Sequence, residues 1–300
     1  MVRERISFRF LRISFTKPLR KVKEIRSRTK NELDEEEKNN IHIIYEMGRD
    51  TDPPIAPVRN VAEFERMSGV LIRYPFGISV EIIRELSEDL IVYCLVSSAQ
   101  QNSALNFMSS GNVNTNNVEF ITGPTDSYWT RDYGPWWVVD GENNMSIVDF
   151  TYNRPRPNDN EAPFKISQSL NVPYYSVDIV HAGGNYMTDG YGISASSNLV
   201  YEENIMSNDE LNNLMNLYYG IETYHVIADP NNTYIEHIDC WGKYLSPTKV
   251  LIREVAASHP QYSEVELAAN HFYEALFQHE DDWIHIHQRE FYFLFFHIDH

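Results

Sequence analysis

Val70-Leu71-Ile72-Arg73-Tyr74, then a polar turn and residues 79–88, then Leu90-Ile91-Val92-Tyr93-Cys94-Leu95-Val96-Ser97, set an order of strand, helix and strand. Within 79–88 the apolar residues recur at helical spacing, and the flanking runs are short and rich in β-branched side chains. Residues 90–97 show no alternation, so they read as a strand buried on both faces. Working outward, residues 103–108 suggest a short helix and Val118-Glu119-Phe120-Ile121 another strand. Residues 136–140 and 146–149 read as a hairpin around Asp140-Gly141-Glu142-Asn143-Asn144. Further strands are expected over 174–180, 191–197, 222–227, 235–245 and 249–253, with helices over 210–219 and 265–275. Strands and helices mixed in this order define an α/β chain and are compatible with several layouts.

Three hundred residues, 42% of them hydrophobic, can bury a sizeable core as one large domain or two small ones. Residues 1–30 hold eleven Lys/Arg and two Asp/Glu. That leaves fourteen basic against forty-one acidic side chains in the remainder, a formal charge of −27. Such a body argues against nucleic acid as a partner and attracts cationic, arginine-bearing ones, besides keeping the protein soluble. Residues 1–45, basic and then acidic, read as a disordered or weakly helical extension, with an anionic-surface anchor over 17–30 as the alternative. No apolar run reaches membrane-spanning length. Arginines interrupt residues 1–16, so no secretory leader can be drawn. Two cysteines, Cys94 and Cys240, leave the redox compartment open.

Two distant stretches carry the chemistry: Tyr128-Trp129-Thr130-Arg131-Asp132-Tyr133-Gly134-Pro135-Trp136 and His237-Ile238-Asp239. Together they offer two carboxylates, an imidazole and an aromatic wall. A planar guanidinium is held best by carboxylates in its own plane with an aromatic ring over one face. Reading residues 235–245 as a strand puts His237 and Asp239 on one face, because residues two apart project the same way. The same reading turns Cys240 into the core, where Cys94 also belongs.

These stretches recur with Tyr152-Asn153-Arg154-Pro155-Arg156-Pro157-Asn158-Asp159, Gly183-Gly184-Asn185 and His259-Pro260-Gln261-Tyr262. With these motifs in this order, residues 52 to 277 resemble the guanidine-modifying family of Porphyromonas-type peptidylarginine deiminases and agmatine deiminases. The resemblance implies a pentein fold, a five-bladed α/β propeller of ββαβ modules around a central channel. Residues 46–277 would supply about four blades, the last being missing or replaced. It implies no cofactor and, since the relatives are exported, a secreted location.

It also implies roles. Asp132 and Asp239 match the guanidinium-binding carboxylates and His237 the acid/base. A thiolate attacks the guanidinium carbon, ammonia leaves, and water hydrolyses the thiouronium adduct. Arg154 and Arg156 match arginines that clamp the carboxylate of a C-terminal arginine, which favours conversion of peptidyl arginine to citrulline. Deimination of agmatine to N-carbamoylputrescine, a step of putrescine biosynthesis, is the alternative. For the two arginines, ordinary ion pairs are the plainer reading. Trp129 suits either stacking on substrate or core packing, and Gly184 and Asn185 either a close approach to substrate or a plain loop. The family's segment bearing the nucleophilic cysteine has no counterpart here, so the chain is expected to hold substrate without turning it over, as a non-catalytic arginine-peptide binder would.

Metal readings are weaker. Asp149, Asp159, Glu161 and Asp189 could supply oxygens to a structural calcium, without EF-hand spacing. His285, His287, His297 and His300 suggest a metal-dependent hydrolase as a rival class. They fall in an atypical tail over 278–300, which ends in an aromatic run prone to aggregation.

Overall fold

The computed structural model describes residues 51–233 and 235–277. The extension expected over 1–45 and the tail over 278–300, with its four histidines, lie outside the described residues. In the first unit, β2 (Gly69–Arg73), β3 (Ile91–Val96) and β4 (Val118–Thr122) lie side by side in parallel. Parallel neighbours need long crossovers, and α1 (Val80–Asp89) and α2 (Gln101–Ser110) supply them. Val80, Ile83 and Leu86 of α1, with Ala104 and Met108 of α2, recur every three or four residues. Their stripes pack on Ile72, Val92, Cys94 and Val96. Removing the fully buried Met108 side chain to alanine would cost about 2–5 kcal/mol.

The next units follow one plan. After the single-turn α3 (Thr130–Tyr133), β5 (Trp136–Val139) pairs antiparallel with β6 (Met145–Tyr152). Past α4 (Pro157–Asn160) and α5 (Ala162–Leu170), β7 (Tyr174–His181) returns parallel to β6. The two-residue β1 (Arg59–Asn60) closes the far edge on β5. Then β8 (Met187–Thr188) pairs antiparallel with β9 (Ile193–Ser197). α6 (Leu199–Glu202) and α7 (Asn208–Tyr219) lead to β10 (Thr223–Ile227), parallel to β9. A third pair, β11 (Gly242–Ser246) and β12 (Lys249–Ile252), runs into α8 (Tyr262–Phe277). Two complete ββαβ units and the opening of a third are therefore described. No helix among the described residues is long and apolar enough to cross a membrane.

Local chemistry explains most boundaries. At the β5–β6 turn Asp140 accepts from the Glu142 and Asn144 amides, and Asn143 takes the left-handed conformation at φ 64°. Ser207 and Glu210 form a reciprocal capping box at the start of α7, and Gly220 ends it at φ 68°. Helix α5 has no counterpart among the sequence expectations, because Pro163 at its start masked the period. The strand expected over 235–245 is the larger departure. Glu236 is left-handed at φ 46°, Ile238–Cys240 form a 3-10 turn closed by Cys240 N–H to the His237 carbonyl, and β-structure starts only at Gly242. Cys240 is consequently exposed, not core, whereas Cys94 is buried as expected.

Candidate active site

The site lies where α3, the Gly183–Asn185 turn and the segment after Glu236 meet. Gly134, at φ 86°, stops α3 after one turn and leaves Asp132 buried at its end. Asp132 Oδ1 stands 3.5 Å from His237 Nδ1. Gly184 presses on both: an added Cβ would sit 2.4 Å from His237 Nδ1 and 2.7 Å from Asp132 Oδ1. One residue earlier, a Cβ on Gly183 would meet the Arg131 carbonyl at 2.1 Å. The paired glycines thus clear the space in which imidazole and carboxylate meet.

A buried strut sets the position of His237. Asn185 Oδ1 accepts from the Ser197 amide at 2.8 Å, and the Ser197 hydroxyl donates to the Glu236 carbonyl. This bond secures a left-handed non-glycine residue that costs about 1–2 kcal/mol. Asn185 is 1% exposed, and in this structure its side-chain oxygen holds the Ser197 amide. The His259-Pro260-Gln261-Tyr262 motif braces the other side, with Gln261 donating to the Asn231 carbonyl and accepting from Arg253.

Electrostatics follow from the crowding. Burial and then the neighbouring Asp239 push Asp132 up to about 6, opposed by Arg154, Arg131 and Arg156. Asp239 presents surface to solvent, yet enough protein surrounds its carboxylate to raise it as well, opposed by Lys243 and Arg131. The charge of Asp239 thus reaches Asp132, more than a hundred positions away in sequence, and Arg131 acts on both. Burial, with Arg154, His181 and Arg131, pushes His237 down to about 3, which leaves a neutral imidazole. Its Nε2 has no hydrogen-bond partner among the described residues.

The remaining sequence candidates fall into place around this centre. Trp129 is 45% exposed and leans on Tyr128 at 4.7 Å, which rules out core packing and leaves an open aromatic face. Arg154 donates to the Asn153 carbonyl, and its charge reaches Asp132, His237 and Glu203. Arg156 donates to the Tyr152 hydroxyl and also acts on Asp132. Glu203, held through both oxygens by the Asn153 amide at 3.0 and 2.9 Å, is pushed up to about 7 by burial, with Arg154 opposing.

Glu203, Glu63 and Lys243 were not among the sequence candidates. Glu63 contacts both Arg131 and Lys243. Only the position of Lys243, four residues past Asp239 on β11, hinted at a place in the site. Cys240 touches Asp239, and its thiol is pushed up to about 12 by desolvation and by Asp239, Asp229 and Asp132. Burial does the same to Cys94. Among the described residues no group of three or more His, Cys, Asp or Glu side chains is placed to hold a metal ion. Asp159 instead accepts from Asp126 and Ser127, Asp149 from Tyr174, and Asp189 from the Tyr191 and Ile193 amides.

Two carboxylates beside a neutral imidazole on an α/β scaffold are groups able to accept hydrogen bonds from a compact organic cation. The model of the Porphyromonas-type peptidyl-arginine deiminases matches residues 62–288, and the chain belongs to that family. It is 25% identical over 238 residues to a candidate agmatine deiminase of Selenomonas ruminantium, covering 69% of this chain and 63% of that protein. A similarly named protein of Mycoplasma capricolum is 28% identical over 196 residues, 59% of this chain and 52% of its own length. The chain thus spans between about half and two thirds of these curated relatives. In fold it is similar to the agmatine deiminase of Enterococcus faecalis, with a TM-score of 0.62 at 18% identity, over 71% of this chain and 65% of that one.

Proposed function

We propose that the described residues form the guanidinium-holding part of a deiminase site, and that its ligand is a small guanidine of the agmatine type. The observation that carries this is His237 Nδ1 standing 3.5 Å from the Asp132 carboxylate, on which the charge of Asp239 also acts. A guanidinium entering between the two acids relieves their repulsion and gains paired, charge-assisted hydrogen bonds. Trp129 offers a ring face for the cation or its aliphatic stem. His237, neutral and with Nε2 unpartnered among the described residues, exchanges the proton that the departing nitrogen requires. The curated relatives named as agmatine deiminases support the small ligand.

The successive ββαβ units are, in this reading, blades of a five-bladed propeller whose channel holds the site. Attack on the guanidinium carbon requires a thiolate. Cys94 and Cys240 are both pushed up to about 12, which disfavours the thiolate form, so little or no turnover is expected from these two thiols. Arg154 and Arg156, both acting on Asp132, favour a second reading in which the ligand is a peptide ending in arginine and its carboxylate meets these guanidiniums.

Calorimetric titration with agmatine and with a dipeptide ending in arginine, alongside an ammonia-release assay, tests all of this. Saturable agmatine binding without ammonia is expected. Preference for the dipeptide would install the second reading, and no binding of either would remove the cradle. Because Asp132 must be ionised to hold a cation, affinity should weaken up to about tenfold per pH unit below about 6. A pH-independent affinity would show that Asp132 is not a ligand group.

A further inference from the structure

Asp159 is fully buried and takes no part in the cradle, yet the stretch that carries Trp129 hangs from it. Its Oδ1 accepts from the Asp126 amide at 2.7 Å and the Ser127 amide at 3.1 Å, and its Oδ2 accepts from the Ser127 hydroxyl at 2.6 Å. The same hydroxyl accepts from the Trp129 amide at 3.3 Å. Trp129 in turn starts α3, its carbonyl accepting from the Asp132 amide at 2.9 Å. An unbroken line of hydrogen bonds therefore runs from a buried carboxylate through Ser127 to Trp129, and on to the backbone of Asp132.

The line has a fixed end. Asp159 sits in α4, where Asn160 Oδ1 accepts from the Tyr152 amide of β6 at 2.8 Å. Across the contact Asp126 reciprocates, accepting from the Asn158 amide at 2.8 Å and from the Asn158 side-chain nitrogen at 2.7 Å. Bonds to an ionised carboxylate are about twice as strong as those between neutral groups. The ring of Trp129 is less well supported. It is 45% exposed and leans on Tyr128, itself 50% exposed. Exposed side chains change rotamer within nanoseconds, so such a ring depends on its backbone for its place. That backbone, at φ −83° and ψ 58°, is neither helical nor extended, and Ser127 and Asp159 hold it there.

We propose that Asp159 is a positioning residue for the ligand: acting through Ser127, it holds Trp129 where its ring can cover a bound guanidine. The inference rests on reading Trp129 as the aromatic face of the cradle. Two substitutions cut the line with little other damage. Ser127→Ala removes the hydroxyl and leaves both amide bonds to Asp159 in place. Asp159→Asn keeps an oxygen for the two amides but turns an NH2 donor toward the Ser127 hydroxyl, which loses its acceptor.

The test titrates full-length wild type, Ser127→Ala, Asp159→Asn, Trp129→Ala and the Ser127→Ala/Trp129→Ala double variant calorimetrically with agmatine. Each single change is expected to weaken binding about two- to fivefold, the worth of an exposed contact between a cation and a ring. Ser127→Ala should add nothing once Trp129 is alanine, because its effect passes through the ring. A merely structural role predicts losses that add. Additive losses, or wild-type affinity in Ser127→Ala and Asp159→Asn, overturn the proposal, as does undiminished binding by Trp129→Ala. Should Asp159→Asn not fold, Ser127→Ala carries the test alone.

A ligand-independent measurement separates the anchor from the cradle. With fluorotryptophan in place of tryptophan, fluorine NMR identifies the Trp129 signal by its loss in Trp129→Phe. In Ser127→Ala that signal should shift and sharpen toward the free amino acid while the other tryptophan signals stay in place. An unchanged Trp129 signal overturns the proposal even if agmatine binds. A shifted signal in a protein whose wild type binds no agmatine upholds the anchoring of Trp129 and refutes the guanidinium cradle.

Discussion

Replacing Asp132 with asparagine should make the fold more stable while removing its affinity for guanidines. Folding raises this carboxyl from its ordinary 3.8 to about 6. At about 1.4 kcal/mol per unit, the ionised form costs the native state about 3 kcal/mol. The sign follows from the direction of the shift. Above the folded pKa, Asp132 is charged in both native and unfolded chains, and the full cost is present. As pH falls through about 6 the native group takes up a proton, and below about 4 the unfolded one does too, so the cost disappears. Asparagine has the same shape without the charge, and among the described residues Oδ1 faces His237 Nδ1 at 3.5 Å. Urea unfolding followed by tryptophan fluorescence should therefore give a gain of about 3 kcal/mol near pH 8. The gain should be about half that near pH 5 and about a fifth of it near pH 4. Equal midpoints near pH 8, or an undiminished gain near pH 4, would refute the electrostatic account of the site.

Three other outcomes are expected. Gly184→Ala places a methyl 2.4 Å from His237 Nδ1, so agmatine affinity should drop about tenfold or more while far-UV circular dichroism is unchanged; undiminished affinity would mean that the imidazole can move aside freely. Ser197→Ala removes the bond to the Glu236 carbonyl and should lower stability by about 1–3 kcal/mol; a neutral result in chemical denaturation would leave the left-handed Glu236 without its support. Cys240, although exposed, should react with iodoacetamide far more slowly than an unfolded-chain thiol near pH 8, because its thiol is pushed up to about 12; labelling at the unfolded rate, read by mass spectrometry, would contradict that environment.

Hydrophobic pattern made the scaffold readable, and packing made parts of the site unreadable. β2, α1 and β3 lie within a residue or two of their sequence bounds because each presents one clear apolar period. The β5–β6 hairpin followed from its turn residues. The segment from Ile235 to Leu245 misled, since its alternation suits a strand while Glu236 turns left-handed and residues 238–240 close a 3-10 turn. His237 still stands beside Asp132, and the charge of Asp239 still acts on it, but by a tight turn and not by strand pleat, and this brings Cys240 to the surface. Glu63 and Glu203 were invisible because nothing local distinguishes an acid that meets distant arginines from the many other acids of the chain. The task of Asn185 was likewise set by a strand that comes beside it only on folding.

Among the described residues the apolar interior is divided into four packets, and the site lies at the seams between them. One packet is built on β2–β4, one joins that sheet to α5, one lies between β5–β7 and α7, and one lies beneath α8. Tyr133, next to Asp132, belongs to the second and Ile238, next to His237, to the last. A cation bridging Asp132 and Asp239 would therefore stitch together two regions that otherwise cohere separately. Occupancy would act as a rivet across the molecule, and amide exchange should slow on both flanks of the seam together when the rivet is in place.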